Sequence, residues 1–344
     1  MHTVLVTGAA GFIGSHFLRA LQRQGKAACY INCDALSYAG CREHVAGLER
    51  DPRYVFVQAD VCDAQAMQTL FAQYDVDTVV HFAAESHVDR SIDDPQPFVR
   101  TNVMGTACLL EAARRAWAVG AEGYRPGVRF LYISTDEVYG SLAVGQFTEN
   151  SPLAPRNPYA ASKASADLWV QAYHTTYGLP VLIARCCNHF GPHQHPEKLI
   201  PHMVACALAH RPLPVYGDGL QVREWMAVDD GCNALLTLLE RGALGEIYNI
   251  GSRCERTNLW MVEHIVDYLH QTLDPSIDRN LIVHVQDRRG HDRRYALDAA
   301  KMAGLGWRPR ARGPAFLHAL QHTVQWYVEH PKALLGALER SATP

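Results

Sequence analysis

Asp136 and Glu137 stand side by side in the stretch STDEVYG, directly after the apolar run RFLYI. Two neighbouring carboxyls in a dry pocket disfavour each other's charge, so one tends to keep its proton while the other gives it up. That division suits paired acid and base work, in which one group takes a proton while the other gives one. In a solvated turn the same pair would only cap backbone N–H groups, and the pair by itself does not decide between these readings. A second cluster lies in PYAASK, where Tyr159 and Lys163 are four residues apart and share one face of a helix. A phenol is a poor base at neutral pH because its ordinary pKa is about 10; a nearby ammonium is expected to lower it. With Thr135 at the strand end between them, these groups can move a hydroxyl proton while the carbon bearing it is oxidised.

Oxidation needs an electron acceptor, and VTGAAGFIGSH supplies a place for one. Gly8, Gly11 and Gly14, with Phe12 and Ile13 among them, follow a strand and open a helix. Glycine lets the backbone come close to a pyrophosphate, and the free N–H groups of the helix start bind its charge. Asp34 ends the second strand, where a carboxylate can accept from a ribose diol and would repel a 2′-phosphate, so NAD is expected over NADP. Asp60 and Val61, after the third strand, are candidates for the adenine edge; Ala83 and Ala84 follow the fourth strand and face the same cofactor.

The elements that must hold these groups alternate strand and helix. HTVLVTG, AACYINCD, YVFVQAD, VDTVVHFAA, VRFLYIST and PVLIARCC read as strands. Helix patterns cover Phe12 to Gln24, Pro95 to Ala118 and Pro158 to Tyr177. Such alternation predicts an α/β fold, a Rossmann-type doubly wound parallel sheet with helices on both faces. Beyond Asn188, short strand pieces (LPVY, EIYNIG, LIVHV) mix with helices near 198–210, 228–241, 258–271 and 313–329. The expected division is residues 1–187 for cofactor and catalysis and 188–344 for a smaller α+β substrate domain, with segments interleaved.

With these motifs placed, the chain resembles the extended short-chain dehydrogenase/reductases and, within them, the nucleotide-diphosphate-glucose 4,6-dehydratases, most like those acting on dTDP-glucose. The resemblance spans nearly the whole chain and rests on TGAAGFIGSH, AAESHVDRSI, STDEVYG, PYAASKASAD, NHFGPHQHPEKLIP, LPVYGDG, YNIG and GHDRRYALD. It implies that Tyr159, Lys163 and Thr135 serve oxidation at C4 by NAD, after which Glu137 takes the C5 proton and Asp136 protonates the C6 hydroxyl. For the nucleotide-hexose substrate it implies contacts from Glu85, Ser86, His87, Asn188, Lys198, Tyr216, Arg223, Asn249, Arg288 and Asp292. Arginine suits phosphate oxygens, though each arginine could form a surface ion pair and Tyr216 could be core. A homodimer built from the helices near 95–118 and 158–177 is implied as well. Alternatives of the same fold are a 4-epimerase or a decarboxylase, which need Tyr159 and Lys163 but not the acid pair. Three departures from the resemblance stand out: Met226, Ala227 and Gly231 after R-x-W, Arg289 in place of a proline, and a short segment after Gly140. They bear on the nucleotide end and the loops, so the base among dTDP, UDP, CDP and GDP stays open.

Composition narrows the partners. A net charge of -3 gives no basic field for nucleic acid, and no apolar run is long enough to span a membrane. The chain starts on an apolar strand with no leader pattern, and its ten cysteines are scattered without a C-x-x-C pair, so reduced thiols in the cytoplasm are expected. His193 and His195 lack a third ligand nearby in sequence and fit a loop over the substrate better than a metal site.

Overall fold

The computed structural model describes residues 1–120 and 123–338. Seven parallel strands form the central sheet: β1 (Thr3–Thr7), β2 (Cys29–Asp34), β3 (Tyr54–Gln58), β4 (Thr78–His81), β5 (Arg129–Thr135), β6 (Val181–Cys186) and β7 (Ile247–Ile250). Their order is β7-β6-β5-β4-β1-β2-β3. Strands such as TVLVT and VLIARC are buried at every position, as a sheet covered on both faces requires. One face carries the helices Phe12–Gln24 and Val228–Arg241, the other Ala64–Tyr74 and Thr106–Trp117. The strand order turns back between β1 and β4, which opens a crevice at their carboxyl ends.

A third core packs the helices Leu199–Leu208, Asn258–Thr272 and Pro314–Glu329 together over two small sheets. In one of these, Leu213–Tyr216 pairs with Ile282–Val285; in the other, Val222–Ala227 lies between Asn188–Phe190 and Glu255–Thr257. The piece EIYNIG instead supplies β7 at the edge of the central sheet, beside β6.

The helix expected over Pro95 to Ala118 is not continuous. It is a short turn Gln96–Phe98, a wide π-helical stretch Val99–Gly105 and then Thr106–Trp117. The wide turn delivers Asn102, 1% exposed, onto both backbone groups of Glu85 and the hydroxyl of Ser162. Periodicity cannot reveal a π turn, because the flanking residues still read as helix.

Candidate active site

Glycine at positions 8 and 14 is required by space. Gly8 has φ +67°, and a Cβ on it would stand 2.6 Å from the backbone of Ala83; one on Gly14 would stand 2.6 Å from Ala9 Cα and Gly8 O. The turn therefore hugs the end of β4 and leaves a cavity of about 360 Å³ above it. Gly8, Gly11, Phe12, Ile13 and Gly14 line one wall, Asp34, Asp60 and Val61 a second, Ala83 and Ala84 the floor, and Tyr159 and Lys163 the far end. Asp34 accepts from the N–H groups of Ala10 and Leu36 at 2.9 and 2.8 Å, which fixes its carboxylate beside the turn. Burial raises its pKa while those two donors pull it back. A cradle that any Cβ would fill, with a strand-end carboxylate beside it, fits a dinucleotide.

At the other end of this cavity, β5 ends in Thr135 and the chain turns tightly through Asp136–Tyr139. Thr135 Oγ1 donates to Asp136 Oδ1 at 3.2 Å and accepts from the Glu137 N–H at 3.3 Å. Asp136 is 1% exposed, and its Oδ2 has no partner among the described residues. Burial holds its carboxyl well above the usual range; Glu137 and Glu224 add to this, and Arg223 and the Thr135 hydroxyl oppose it. Burial also raises Glu137, but Arg223, the Asn157 amide at 3.3 Å, Arg288 and Lys198 all draw it back. The two acids are thus pushed apart, with Asp136 the one that keeps its proton.

Asn157 and Pro158 start the helix Pro158–Tyr177, the asparagine accepting from the Ala160 N–H at 2.8 Å. That start brings Tyr159 and Lys163 to the cavity. Burial raises the Tyr159 phenol well above its ordinary value and Glu137 raises it further, while a hydrogen bond with Thr135 lowers it. The depression expected from Lys163 is not found. The ammonium is turned to the Ile133 carbonyl at 2.6 Å and lies 4.3 Å from the Tyr132 ring centroid, and burial lowers Lys163 itself to about 8.

A second cavity of about 1380 Å³ meets the first at Ser86, Glu137, Asn188 and Lys198. His87, Tyr216, Arg223, Arg288 and Asp292 line it as well, while Glu85 lies on the cofactor side. Lys198 Nζ donates to Ser86 O at 2.8 Å, and His87 caps the helix Val88–Asp93. Arg223, 8% exposed, stacks on the Tyr295 ring at 4.4 Å. Arg288 donates to Asp89 at 2.8 Å and lies 5.2 Å from the Tyr216 ring centroid.

Two sequence expectations shift. The Asp292 carboxylate takes the Tyr295 hydroxyl at 2.6 Å and Arg156 at 3.2 Å, and its carbonyl accepts from Arg223 at 3.0 Å. It acts on the cavity chiefly by holding Arg223. Asn249 lines neither cavity: fully buried, it accepts from Tyr139 Oη at 2.8 Å and donates to Phe147 O at 3.0 Å. Tyr139 in turn accepts from Arg185, which is paired with Asp167 at 2.7 Å. The departures at Met226, Ala227 and Gly231 also lie outside both cavities. Met226 is core, and a Cβ on Gly231 would fall 1.9 Å from His189 Nε2. Among the histidines of the 191–198 loop, His195 lines both cavities; His193 packs on His44 and Trp326, each at 4.7 Å. Sequence reasoning missed Tyr38, Asn102, Asn157, Tyr295 and Arg156. Only Asn157 left a signal, as the helix cap before Pro158.

A glycine-turn Rossmann sheet that sets threonine, tyrosine and lysine at the junction with a second polar cavity defines an extended short-chain dehydrogenase/reductase. Residues 5–318 match the family model described as GDP-mannose 4,6 dehydratase. A dTDP-glucose 4,6-dehydratase from Xanthomonas campestris pv. campestris is 47% identical over 99% of this chain and 97% of that protein. Among solved structures, a Streptomyces venezuelae dTDP-glucose 4,6-dehydratase with NAD bound superposes at TM-score 0.89 with 46% identity, covering 97% of this chain and 99% of that one. A UDP-glucose 4-epimerase from Thermotoga maritima shares the fold at TM-score 0.82 but only 27% identity, over 96% and 99% of the two chains. The chain belongs to the dTDP-glucose 4,6-dehydratase family.

Proposed function

We propose that this chain performs NAD-dependent 4,6-dehydration of dTDP-glucose, giving the nucleotide-linked 4-keto-6-deoxyglucose. The observation that carries the reading is the acid pair, Glu137 lining both cavities and Asp136 the cofactor cavity beside it, one carboxyl kept protonated and the other drawn toward ionisation. The chemistry NAD supplies when bound is acceptance of the C4 hydride and its later return at C6. Gly8, Gly11 and Gly14 would admit its pyrophosphate and Asp34 its ribose. Tyr159 takes the C4 hydroxyl proton, with Thr135 holding the reacting oxygen. Once C4 is a ketone the C5 hydrogen is acidified, and Glu137, held by Asn157, removes it. Asp136 gives its proton to the C6 hydroxyl, which leaves as water as the C5–C6 double bond forms.

Lys198, Arg223 and Arg288 are assigned to the diphosphate, Tyr216 to the base, and Ser86, His87 and Asn188 to the sugar. In this reading residues 1–187 carry cofactor and catalysis and 188–344 chiefly bind the nucleotide. Exposed Val99, Met104, Leu168, Trp169 and Tyr177, on the segments 99–105 and 158–177, support a homodimer through that face. Ten free cysteines support a cytoplasmic setting, and no helix among the described residues is long and apolar enough to cross a membrane. Incubation with dTDP-, UDP-, CDP- and GDP-glucose, read by mass spectrometry, tests the activity: water loss from dTDP-glucose is expected, and inversion at C4 without water loss would overturn it. Sedimentation at working concentration tests the dimer, which a stable monomer would refute.

A further inference from the structure

Glu224 is 1% exposed, lines neither cavity and has no part in the steps above. Its strand, Val222–Ala227, alternates faces, so Arg223 looks into the substrate cavity and Glu224 looks behind it. Two registers meet there. Thr135 pairs with Cys186 on one side, and Asn188 pairs with Trp225 on the other. One step on from Thr135 and one step back from Trp225, Asp136 and Glu224 approach Cys187 from opposite sides. Burial raises the Cys187 thiol, and both carboxyls push it further, as that placement requires.

The distribution of donors separates the two acids. Glu224 Oε1 accepts from the Arg253 N–H at 2.5 Å and Oε2 from the Leu297 N–H at 3.0 Å. Burial raises the Glu224 carboxyl, and the backbone donors on both oxygens draw it back toward the charged form. Gly251 leaves the room for this: a Cβ there would stand 2.8 Å from Glu224 Oε1. Asp136, by contrast, receives one hydroxyl at 3.2 Å, and its Oδ2 is buried without a partner among the described residues. A negative charge there would go unsupported, whereas a protonated carboxyl on a residue that lines the cofactor cavity is ready to give its proton.

Resting on the dehydratase reading, we infer that Glu224 is a positioning residue for the elimination: a fixed negative charge behind Asp136 that keeps Asp136 protonated for the departing C6 hydroxyl. The groups facing Asp136 are Glu137 beside it, Tyr159 from its helix, Cys186 and Cys187 at the end of β6, and Arg223, which opposes Glu224 from the same strand. In the elimination the C5 proton passes to Glu137, the C6–O bond breaks, and the Asp136 proton leaves in water. Without Glu224's charge, Asp136 loses its proton at lower pH, and the acid is spent before it is needed.

The test is the pH dependence of elimination in single turnovers of the holoenzyme with dTDP-glucose, followed by the decay of the NADH formed in the first step. Glu224→Gln should leave the rise of NADH unchanged and move the alkaline limb of its decay to lower pH by about one unit. Glu224→Asp, which keeps the charge a methylene further back, should give a smaller move, and it carries the test if Glu224→Gln does not fold. A limb that stays at its wild-type position in the folded variants, whatever their melting temperatures, overturns the inference. Wild-type protein that oxidises dTDP-glucose but never loses water would instead overturn the dehydratase reading beneath it.

Discussion

Replacing Glu137 by glutamine keeps the side chain's length and its contact with the Asn157 amide at 3.3 Å, while removing the carboxylate at the junction of the two cavities. Two consequences follow from charge. Tyr159, raised first by burial and next by Glu137, loses a repelling neighbour, so abstraction of the C4 hydroxyl proton should not slow. Asp136, raised first by burial and next by Glu137, loses some support for its protonated form but keeps that of burial and Glu224. What disappears is the base for C5. A positioned general base contributes about 10²–10⁴ in rate, which is about 3–5 kcal/mol of barrier. In stopped-flow single turnovers, wild-type NADH absorbance should rise and fall, whereas in E137Q it should rise at a similar rate and fall at least about a hundredfold more slowly. Product should be correspondingly scarce. An NADH signal that decays at the wild-type rate in E137Q would refute the role given to Glu137.

Other consequences are open to simpler measurements. Gly14→Ala must displace the start of the first helix, because its Cβ would lie 2.6 Å from Ala9 Cα and Gly8 O; NAD affinity, by titration of fluorescence quenching, should fall at least about tenfold. His81, buried between the hydroxyls of Thr7 and Thr106, is lowered from 6.5 to about 3, chiefly by burial and then by Lys163. The folded state therefore binds fewer protons than the unfolded one, and this stability is present above pH 6.5 and lost as pH falls toward 3. The unfolding free energy from urea titrations should drop across that window, by up to about 5 kcal/mol, and His81→Asn should flatten the drop. Asp167→Asn leaves the Arg185 guanidinium, 2% exposed, without its charge partner, and should cost about 3–5 kcal/mol in urea unfolding.

Much of this site could be read from local sequence because its residues sit at element ends. Gly8, Gly11 and Gly14 mark a strand-to-helix turn, Thr135 to Glu137 close a strand, and Tyr159 and Lys163 share a helix turn. Each is placed by spacing of a few residues, and the strands that carry them have an apolar pattern strong enough to find. The residues that sequence missed are brought in over long separations. Tyr295 stacks on Arg223 and Arg156 pairs with Asp292 across long stretches of chain, and no periodicity links them. The resemblance implies a substrate contact from Asn249 in YNIG, but β7 joins the central sheet and its asparagine is turned to Tyr139. Helix spacing places Lys163 near Tyr159 yet does not say that its ammonium will donate to the Ile133 carbonyl.

The central claim, that Glu137 and Asp136 carry out an elimination across C5 and C6 of dTDP-glucose, is tested most directly by turnover in deuterated water. Product that has lost one water and carries one deuterium at C5 is the predicted result, since the C5 proton passes to a carboxyl that exchanges with solvent before C5 is reprotonated. Recovery of an unlabelled sugar, or of one inverted at C4 with its C6 hydroxyl intact, would contradict it.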